Sequence, residues 1–280
     1  MLTTRNLRAP SSGRGVRRGL LMLTAAVTAV VTLLAANASA TAADHYVALG
    51  DSYSSGVGAG SYISASGSCD RSTNAYSQLW ANSRHPASYV SVACSGATTQ
   101  DVLNSQISAL SSSTTLVSIT IGGNDVGFSS VMKTCVLDSD SACLSAINTA
   151  TSQAKTILPG RLATTFAAIR QAAPSAHVVV LGYPELYDLG HSWYCPGLSG
   201  TDRSALNGAA DLIDTQISTA AKNAGDTFAD VRGQFHGHEL CDFFNEWLHS
   251  VDVTDVSDSY HPTASGQSGG YYAAFSAVAP

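Results

Sequence analysis

Residues 46–56 read YVALGDSYSSG. Tyr46, Val47, Ala48 and Leu49 form a short apolar run that Gly50 and Asp51 then break, the pattern of a buried strand running into a turn. Ser52 follows directly, and the end of the first strand is where α/β sheets bind their ligands. Turns also collect serine because its hydroxyl bonds to nearby backbone. By itself, then, the stretch fits a nucleophile no better than a serine-rich turn.

The same alternation continues outward from this strand. Apolar runs at 45–49, 89–93, 116–121 and 177–182, with a weaker one at 227–231, are candidate strands. Helical spacing fills 75–83, 99–110, 144–173 and 202–224. In the last of these, Leu206, Ala209, Ala210, Ile213, Ile217 and Ala220 share one face, and Asp202 suits the helix N-terminus. Alternating strands and helices predict an α/β fold of three layers, α/β/α, with a mainly parallel sheet of about five strands. Two irregular stretches, 184–201 and 233–257, are rich in aromatic residues, histidine and glycine. Loops of that length in a compact domain tend to be functional walls or lids.

Residues 1–18 carry five arginines and no acid, residues 19–36 are apolar, and Ala38-Ser39-Ala40 offers a small-residue cleavage site. Residues 1–40 therefore read as a secretory signal peptide, leaving 41–280 as a single domain. The apolar run approaches membrane-spanning length, but the small residues directly after it favour cleavage over a stable membrane anchor. Arg17-Arg18 leaves the general secretory and twin-arginine routes both open. Cleavage lowers Lys+Arg from 14 to 9 against 20 Asp+Glu, a mature net charge of about −11. Such a surface repels nucleic acid and anionic headgroups, and points to an uncharged or lipid-like small molecule as partner. The expected product is a secreted, extracellular monomer.

The six cysteines are Cys69, Cys94, Cys135, Cys143, Cys195 and Cys241. An even number in an exported chain implies disulfides, with 15 pairings possible by counting. Sequential pairing is the simplest because each loop closes locally. No C-x-x-C occurs, which argues against a zinc site.

A serine hydroxyl becomes a useful nucleophile only with a base for its proton and donors for the oxyanion. His261 lies in DVSDSYHPTASG with Asp258 three residues before it, a spacing that on a tight turn sets carboxylate against imidazole. The pair also reads as an ordinary surface turn, and Pro262 fixes the backbone before a terminal helix. In TIGGND, 120–125, a strand ends at Ile121 and Asn124 presents an amide donor, while Asp125 suits the cap of the next helix. In ACSGATT, 93–99, Gly96 offers an unshielded N–H after a strand.

G-D-S near the mature N-terminus, S-G-A after the second strand, G-G-N-D after the third and D-x-x-H near the C-terminus resemble the four blocks of the SGNH, or GDSL-type, hydrolase family. They occur in the family's order across most of the mature chain. With the export signal and six cysteines, the chain is similar to the family's secreted actinobacterial lipases and esterases. The resemblance implies Ser52 as nucleophile, His261 as base, and an oxyanion hole from the N–H groups of Ser52 and Gly96 with the Asn124 side chain. It also implies the pairs Cys69–Cys94, Cys135–Cys143 and Cys195–Cys241, and no metal or other cofactor. Asp258 fits the family spacing for the group that orients the histidine. In some members a main-chain carbonyl does this, which here would be that of Ser259.

The implied substrates are small-molecule or lipid esters with fatty acyl groups, such as glycerides or phospholipids. Leu186, Leu189, Trp193, Phe235, Phe243, Phe244 and Trp247 are candidates to line an acyl groove, or simply to pack the long loops. Two other readings compete: a carbohydrate esterase deacetylating polysaccharides, and a catalytically dead carbohydrate-binding module stacking sugars on Trp193 and Trp247. Two further motifs are set aside. GQSGG at 266–270 matches a G-x-S-x-G elbow but has no strand before it and no histidine after it. HGHE at 236–239 lacks the second histidine of H-E-x-x-H, with Asp242 in its place.

Overall fold

Five strands carry the apolar runs: β1 (His45–Gly50), β2 (Ser88–Ser91), β3 (Leu116–Thr120), β4 (His177–Leu181) and β5 (Thr227–Ala229). The computed structural model describes residues 43–190, 195–242, 245–251 and 258–280. The signal-peptide reading of 1–40 and the candidate groove residues Trp193, Phe243 and Phe244 lie outside them. All strand pairs are parallel, in the order β2-β1-β3-β4-β5. Every residue of β3, and all but the first of β1 and β4, is buried. That is why these strands read as continuous apolar runs rather than alternating ones. β2, at the edge, alternates exposed and half-buried residues.

The helices are α1 (Ser52–Ser55), α2 (Tyr76–Arg84), α3 (Thr99–Asp101), α4 (Phe128–Leu137), α5 (Asp140–Thr156), α6 (Leu158–Ala172), α7 (Gly200–Ala224), α8 (Arg232–Phe235) and α9 (Tyr272–Ser276). α2 and α9 pack together on Tyr46 of β1, whose ring lies 5.2 Å from that of Trp80 and 5.6 Å from that of Phe275. α4 packs on α5, and both α5 and α6 pack on α7, so helices flank the sheet. Among the described residues no helix is long and apolar enough to cross a membrane.

Two helix readings change. The single helix expected over 144–173 is two, α5 and α6, broken at Ile157. Pro159 in the first turn of α6 has no N–H to continue the α5 ladder. The stretch 99–110 begins as α3, passes through a π-helical turn at Val102–Gln106 and ends in a 3₁₀ turn at Ile107–Ala109. α4 was not expected, although Phe128, Val131, Met132 and Cys135 carry helical spacing.

Winding reverses between β1 and β3, which leaves a crevice beyond their C-terminal ends. A line of hydroxyls crosses the core beneath it. Ser118 Oγ lies 2.7 Å from Tyr46 Oη and accepts from the Tyr76 hydroxyl at 3.0 Å. Tyr76 Oη and Thr120 Oγ1 in turn lie 3.1 and 2.8 Å from Ser54 Oγ. Ser118 and Thr120 thus stay buried in an apolar strand because their hydroxyls are satisfied.

β4 ends in a similar close fit. A Cβ on Gly182 would collide with the Asp214 carboxylate of α7, which accepts the Tyr183 N–H at 2.8 Å. Burial pushes the Asp214 carboxyl up to about 8, outweighing the Tyr183 donor and the Arg232 guanidinium 3.8 Å away. In the unfolded chain the same carboxyl titrates near ~4. Between those values the folded form holds a proton that the unfolded form has lost, so this group makes stability fall as pH rises from about 4 to about 8. Asp214→Asn keeps an oxygen for the Tyr183 N–H but cannot ionise. Melting temperatures measured across that window should fall more steeply for the wild type than for the variant, and parallel curves would refute this account.

Candidate active site

The turn after β1 is built by steric exclusion and capping. Gly50 has φ +120°, and a Cβ there would collide with the Thr120 carbonyl at the end of β3. The Asp51 N–H donates to that same carbonyl at 3.0 Å. The buried Asp51 side chain then caps α1: Oδ1 accepts from the Tyr53 N–H at 3.1 Å and the Thr120 hydroxyl at 2.6 Å, and Oδ2 accepts the Tyr183 hydroxyl. Burial pushes this carboxyl up to about 6 against the pull of those donors. The aspartate of G-D-S is therefore a buried anchor. It sets Ser52 at the first position of a one-turn helix, 6 % exposed, at the crevice.

His261 reaches this serine from 209 residues away, with Nε2 2.7 Å from Ser52 Oγ. Its loop is strapped from several sides. The His249 N–H donates to the His261 carbonyl at 2.9 Å, and the Tyr260 N–H to the His249 carbonyl at 2.8 Å. The Tyr53 hydroxyl donates to the Tyr260 carbonyl at 2.8 Å. Tyr260 itself has φ +66°, a left-handed turn residue that these bonds hold in place.

Asp258 sits on this turn, and its carbonyl accepts the His261 N–H at 3.0 Å. Its carboxylate accepts the Tyr62 hydroxyl at 2.8 Å, and Tyr62 Oη accepts the Gly58 N–H at 2.9 Å. Among the described residues the Asp258 carboxylate makes no hydrogen bond to the His261 ring.

Asn124 lines the same cleft as Ser52, and it is bonded to the loop that carries Gly96. Gly96 has φ +75°, with open space where a Cβ would be. Its loop is tied down by the Cys69–Cys94 disulfide and by the Ser95 N–H donating to the Cys69 carbonyl at 3.1 Å. One amide N–H of Asn124 donates to the Ala97 carbonyl at 3.1 Å, which leaves the second for another acceptor. Neither the Ser52 nor the Gly96 N–H is taken by an acceptor among the described residues. Asp125 does not cap the helix after it. It accepts the Thr99 N–H and hydroxyl at 2.9 and 2.6 Å, capping α3 instead, and pairs with Arg161 at 3.1 Å. Gly122, with φ +120°, and Gly123 precede Asn124, and a Cβ on them would press on Leu158 and Tyr183 at 3.3 and 3.4 Å.

An apolar cleft of about 680 Å³, counting its opening to solvent, runs from Ser52 and Asn124 between the helices. Its walls are Phe128 and Val131 of α4, Ile147 and Ala150 of α5, and Leu206, Ala209, Ala210 and Ile213 of α7. The groove expected from the irregular stretches is therefore built mainly by helices. Of those candidates Leu186 lines the cleft, Phe235 is buried in the core, Leu189 is exposed, and Trp247 packs on Gly269. Tyr183, not singled out from the sequence, also lines the cleft, and its hydroxyl accepts the Gly123 N–H at 3.2 Å while donating to Asp51.

The two motifs set aside have other roles. Ser268 of GQSGG is exposed, and its hydroxyl donates to the Ser265 carbonyl. In HGHE, His238 stacks on Trp247 with ring centroids 3.5 Å apart, and Glu239 accepts the N–H groups of Gly237 and His238.

A parallel sheet with a serine–histidine pair at its winding reversal, beside an apolar cleft, marks the class: an α/β ester hydrolase. Comparison with known proteins agrees. The model of the GDSL-like Lipase/Acylhydrolase family matches residues 48–268. The chain is 56% identical over 247 residues to Lipase 1 of Streptomyces coelicolor, a match covering 88% of this chain and 90% of that protein. The crystal structure of phospholipase A1 from Streptomyces albidoflavus is similar with a TM-score of 0.82 and 54% identity, over 85% of this chain and 100% of that one. The crystal structure of an extracellular lipase from Streptomyces rimosus gives 0.80 and 52%, over 83% and 98%. The chain belongs to the GDSL-like lipase/acylhydrolase family.

Proposed function

We propose that the chain is a secreted carboxylic ester hydrolase that cleaves fatty acyl esters, glycerides or phospholipids among them, through a Ser52 acyl-enzyme. The observation that carries this reading is the 2.7 Å contact between Ser52 Oγ and His261 Nε2 at the head of an apolar cleft. Relatives named as lipases and a phospholipase A1 support the lipid class, and the extracellular Streptomyces rimosus lipase supports export.

In this reading Ser52 Oγ attacks the ester carbonyl carbon while Nε2 of His261 takes the hydroxyl proton. The N–H groups of Ser52 and Gly96 and the uncommitted amide N–H of Asn124 receive the tetrahedral oxyanion. Collapse breaks the bond to the alcohol oxygen, and His261 gives that oxygen its proton. Water then attacks the acyl-enzyme, passing its proton to His261, and the acid leaves as Ser52 is restored. The acyl chain lies in the cleft, whose lining leaves it few polar groups to desolvate. Such a lining favours a long acyl chain over the acetyl groups of a polysaccharide.

Rates on p-nitrophenyl esters of increasing chain length test the substrate. kcat/KM should rise from acetyl toward medium and long acyl groups, and Ser52→Ala should abolish turnover. A preference for acetyl esters would favour the carbohydrate-esterase reading. Asn124→Ala removes one oxyanion donor and should lower kcat by about 10²–10³ with little change in KM. A raised KM with normal kcat would remove Asn124 from that role.

The Asp258 carboxylate is taken by Tyr62, so we assign the orientation of His261 to the backbone of the turn, the Ser259 carbonyl included. Asp258→Asn should then keep kcat within a fewfold of wild type. A loss near the ~10⁴-fold seen when a triad carboxylate is neutralised would return the role to the Asp258 side chain.

A further inference from the structure

Two fully buried glutamines approach the Ser52 turn from opposite ends of the chain. Gln106 lies in the π-helical turn after α3, and Gln267 lies in a second π-helical stretch, Gly266–Tyr271, before α9. They are 3 % and 0 % exposed. π-Helical turns are uncommon and frequently mark functional sites.

Gln106 uses both ends of its amide on Gly50, and Gln267 bridges the Tyr53 carbonyl beside the serine to the start of α2. β2 makes its last pair with β1 at Ala48–Ser91, and beyond it the ladder continues only in part. The Cys94 N–H donates to the Gly50 carbonyl at 3.0 Å, while the Gly50 N–H has no strand partner among the described residues. Gln106 completes the ladder: Oε1 accepts the Gly50 N–H at 2.7 Å and Nε2 donates to the Gly50 carbonyl at 2.9 Å. On the other side of the serine, α1 stops after one turn. The Val57 N–H, which would serve the Tyr53 carbonyl in a longer helix, bonds to the Ser52 carbonyl at 3.1 Å instead. Gln267 Nε2 donates to the Tyr53 carbonyl at 3.0 Å, and its Oε1 caps α2 by accepting the Tyr76 N–H at 2.9 Å. This also gives GQSGG a physical role. A Cβ on Gly266, Gly269 or Gly270 would collide with Trp247 or Phe235, so the glycines let the stretch pack closely there while its glutamine projects inward.

We propose that Gln106 and Gln267 are positioning residues that clamp the backbone on either side of Ser52 and hold its Oγ within reach of His261. The inference rests on Ser52 being the nucleophile. Neither glutamine touches substrate. Their effect is on the geometry of attack, where a displacement of about 1 Å costs about 10²-fold in rate.

The test uses the full mature enzyme with Gln106→Met, Gln267→Met, the double variant, and Gln106→Glu, which keeps the acceptor for the Gly50 N–H. kcat and KM are measured on a p-nitrophenyl ester well below the melting temperature, together with the rate of Ser52 labelling by an organophosphate. Each Met variant should lose about 10- to 100-fold in kcat and in labelling rate with KM within about twofold, and Gln106→Glu should lose less. The double variant should lose less than the product of the singles, because both act on one segment. Folded Met variants with kcat within twofold of wild type would overturn the proposal, as would a loss confined to melting temperature.

Hydrogen exchange on the wild-type enzyme reads the clamp even if the Met variants do not fold. The Gly50 and Tyr76 amides should exchange as slowly as those of β3, and surface-loop rates would overturn the clamp. Ser52→Ala is measured alongside. Activity in that variant would refute the nucleophile itself, whereas an inert Ser52→Ala beside fully active glutamine variants would refute only the clamp.

Discussion

The end of β1 lies against the end of β3 through contacts that leave no room for substitution. Gly50 has no Cβ because the Thr120 carbonyl stands where one would go, and the Asp51 N–H bonds to that carbonyl. The Thr120 hydroxyl then returns the contact by donating to the Asp51 carboxylate. From this junction the chain can turn only into the short helix that begins with Ser52. The same junction sets the start of the Gly122-Gly123-Asn124 turn, so Ser52 and Asn124, which line one cleft, share one reference point. A parallel sheet supplies such a point where its winding reverses. Here the two strand ends on either side of that reversal are bonded directly to each other.

The walls of the site are secured by other means. Cys69–Cys94 fixes the loop that carries Gly96, Cys135–Cys143 joins α4 to α5 across the cleft wall, and Cys195–Cys241 ties the segment before α7 to the loop after α8. Disulfides typically contribute about 2–4 kcal/mol each by restricting the unfolded chain. The first two also restrict segments of the site, the Gly96 loop and the α4–α5 wall of the cleft. His261 is held differently, by backbone bonds to His249 and by the Tyr53 hydroxyl on its neighbour's carbonyl. Because Tyr53 follows Ser52, the nucleophile turn and the histidine turn brace each other.

Much of this was legible in the sequence, and the reasons differ by residue. β1, β3 and β4 were visible because burial on both faces makes them unbroken apolar runs. Ser52, Gly96, Asn124 and His261 were each ambiguous alone, and became candidates through the resemblance of four blocks read together. α4 was missed although Phe128, Val131, Met132 and Cys135 have helical spacing; it is short, and serines interrupt it. The α5–α6 break shows that periodicity survives a proline that the backbone ladder does not. Gln106, Gln267, Tyr183 and Tyr62 were illegible because they act by hydrogen bonds across 56 residues or more, which leave no local pattern. Of the described groove candidates only Leu186 lines the cleft, for a related reason. Loops rich in aromatics look like walls, whereas alanines and isoleucines on helices look like core.

That last point connects packing to chemistry. Ala150, Ala209 and Ala210 sit on helices that otherwise bury Ile147, Leu206 and Ile213 in the same layer. Larger residues at these positions would fill the cleft and extend the core, so small side chains hold open a channel that the fold would otherwise close. Close packing makes such space costly unless a ligand occupies it. Polar groups are few along its walls and concentrated at its head, around Ser52, Asn124 and Tyr183. An apolar chain would therefore end at the head of the cleft, where the Ser52 hydroxyl meets the His261 imidazole. The cleft that admits the chain and the junction that fixes the serine meet at one turn, because both are built on the ends of β1 and β3.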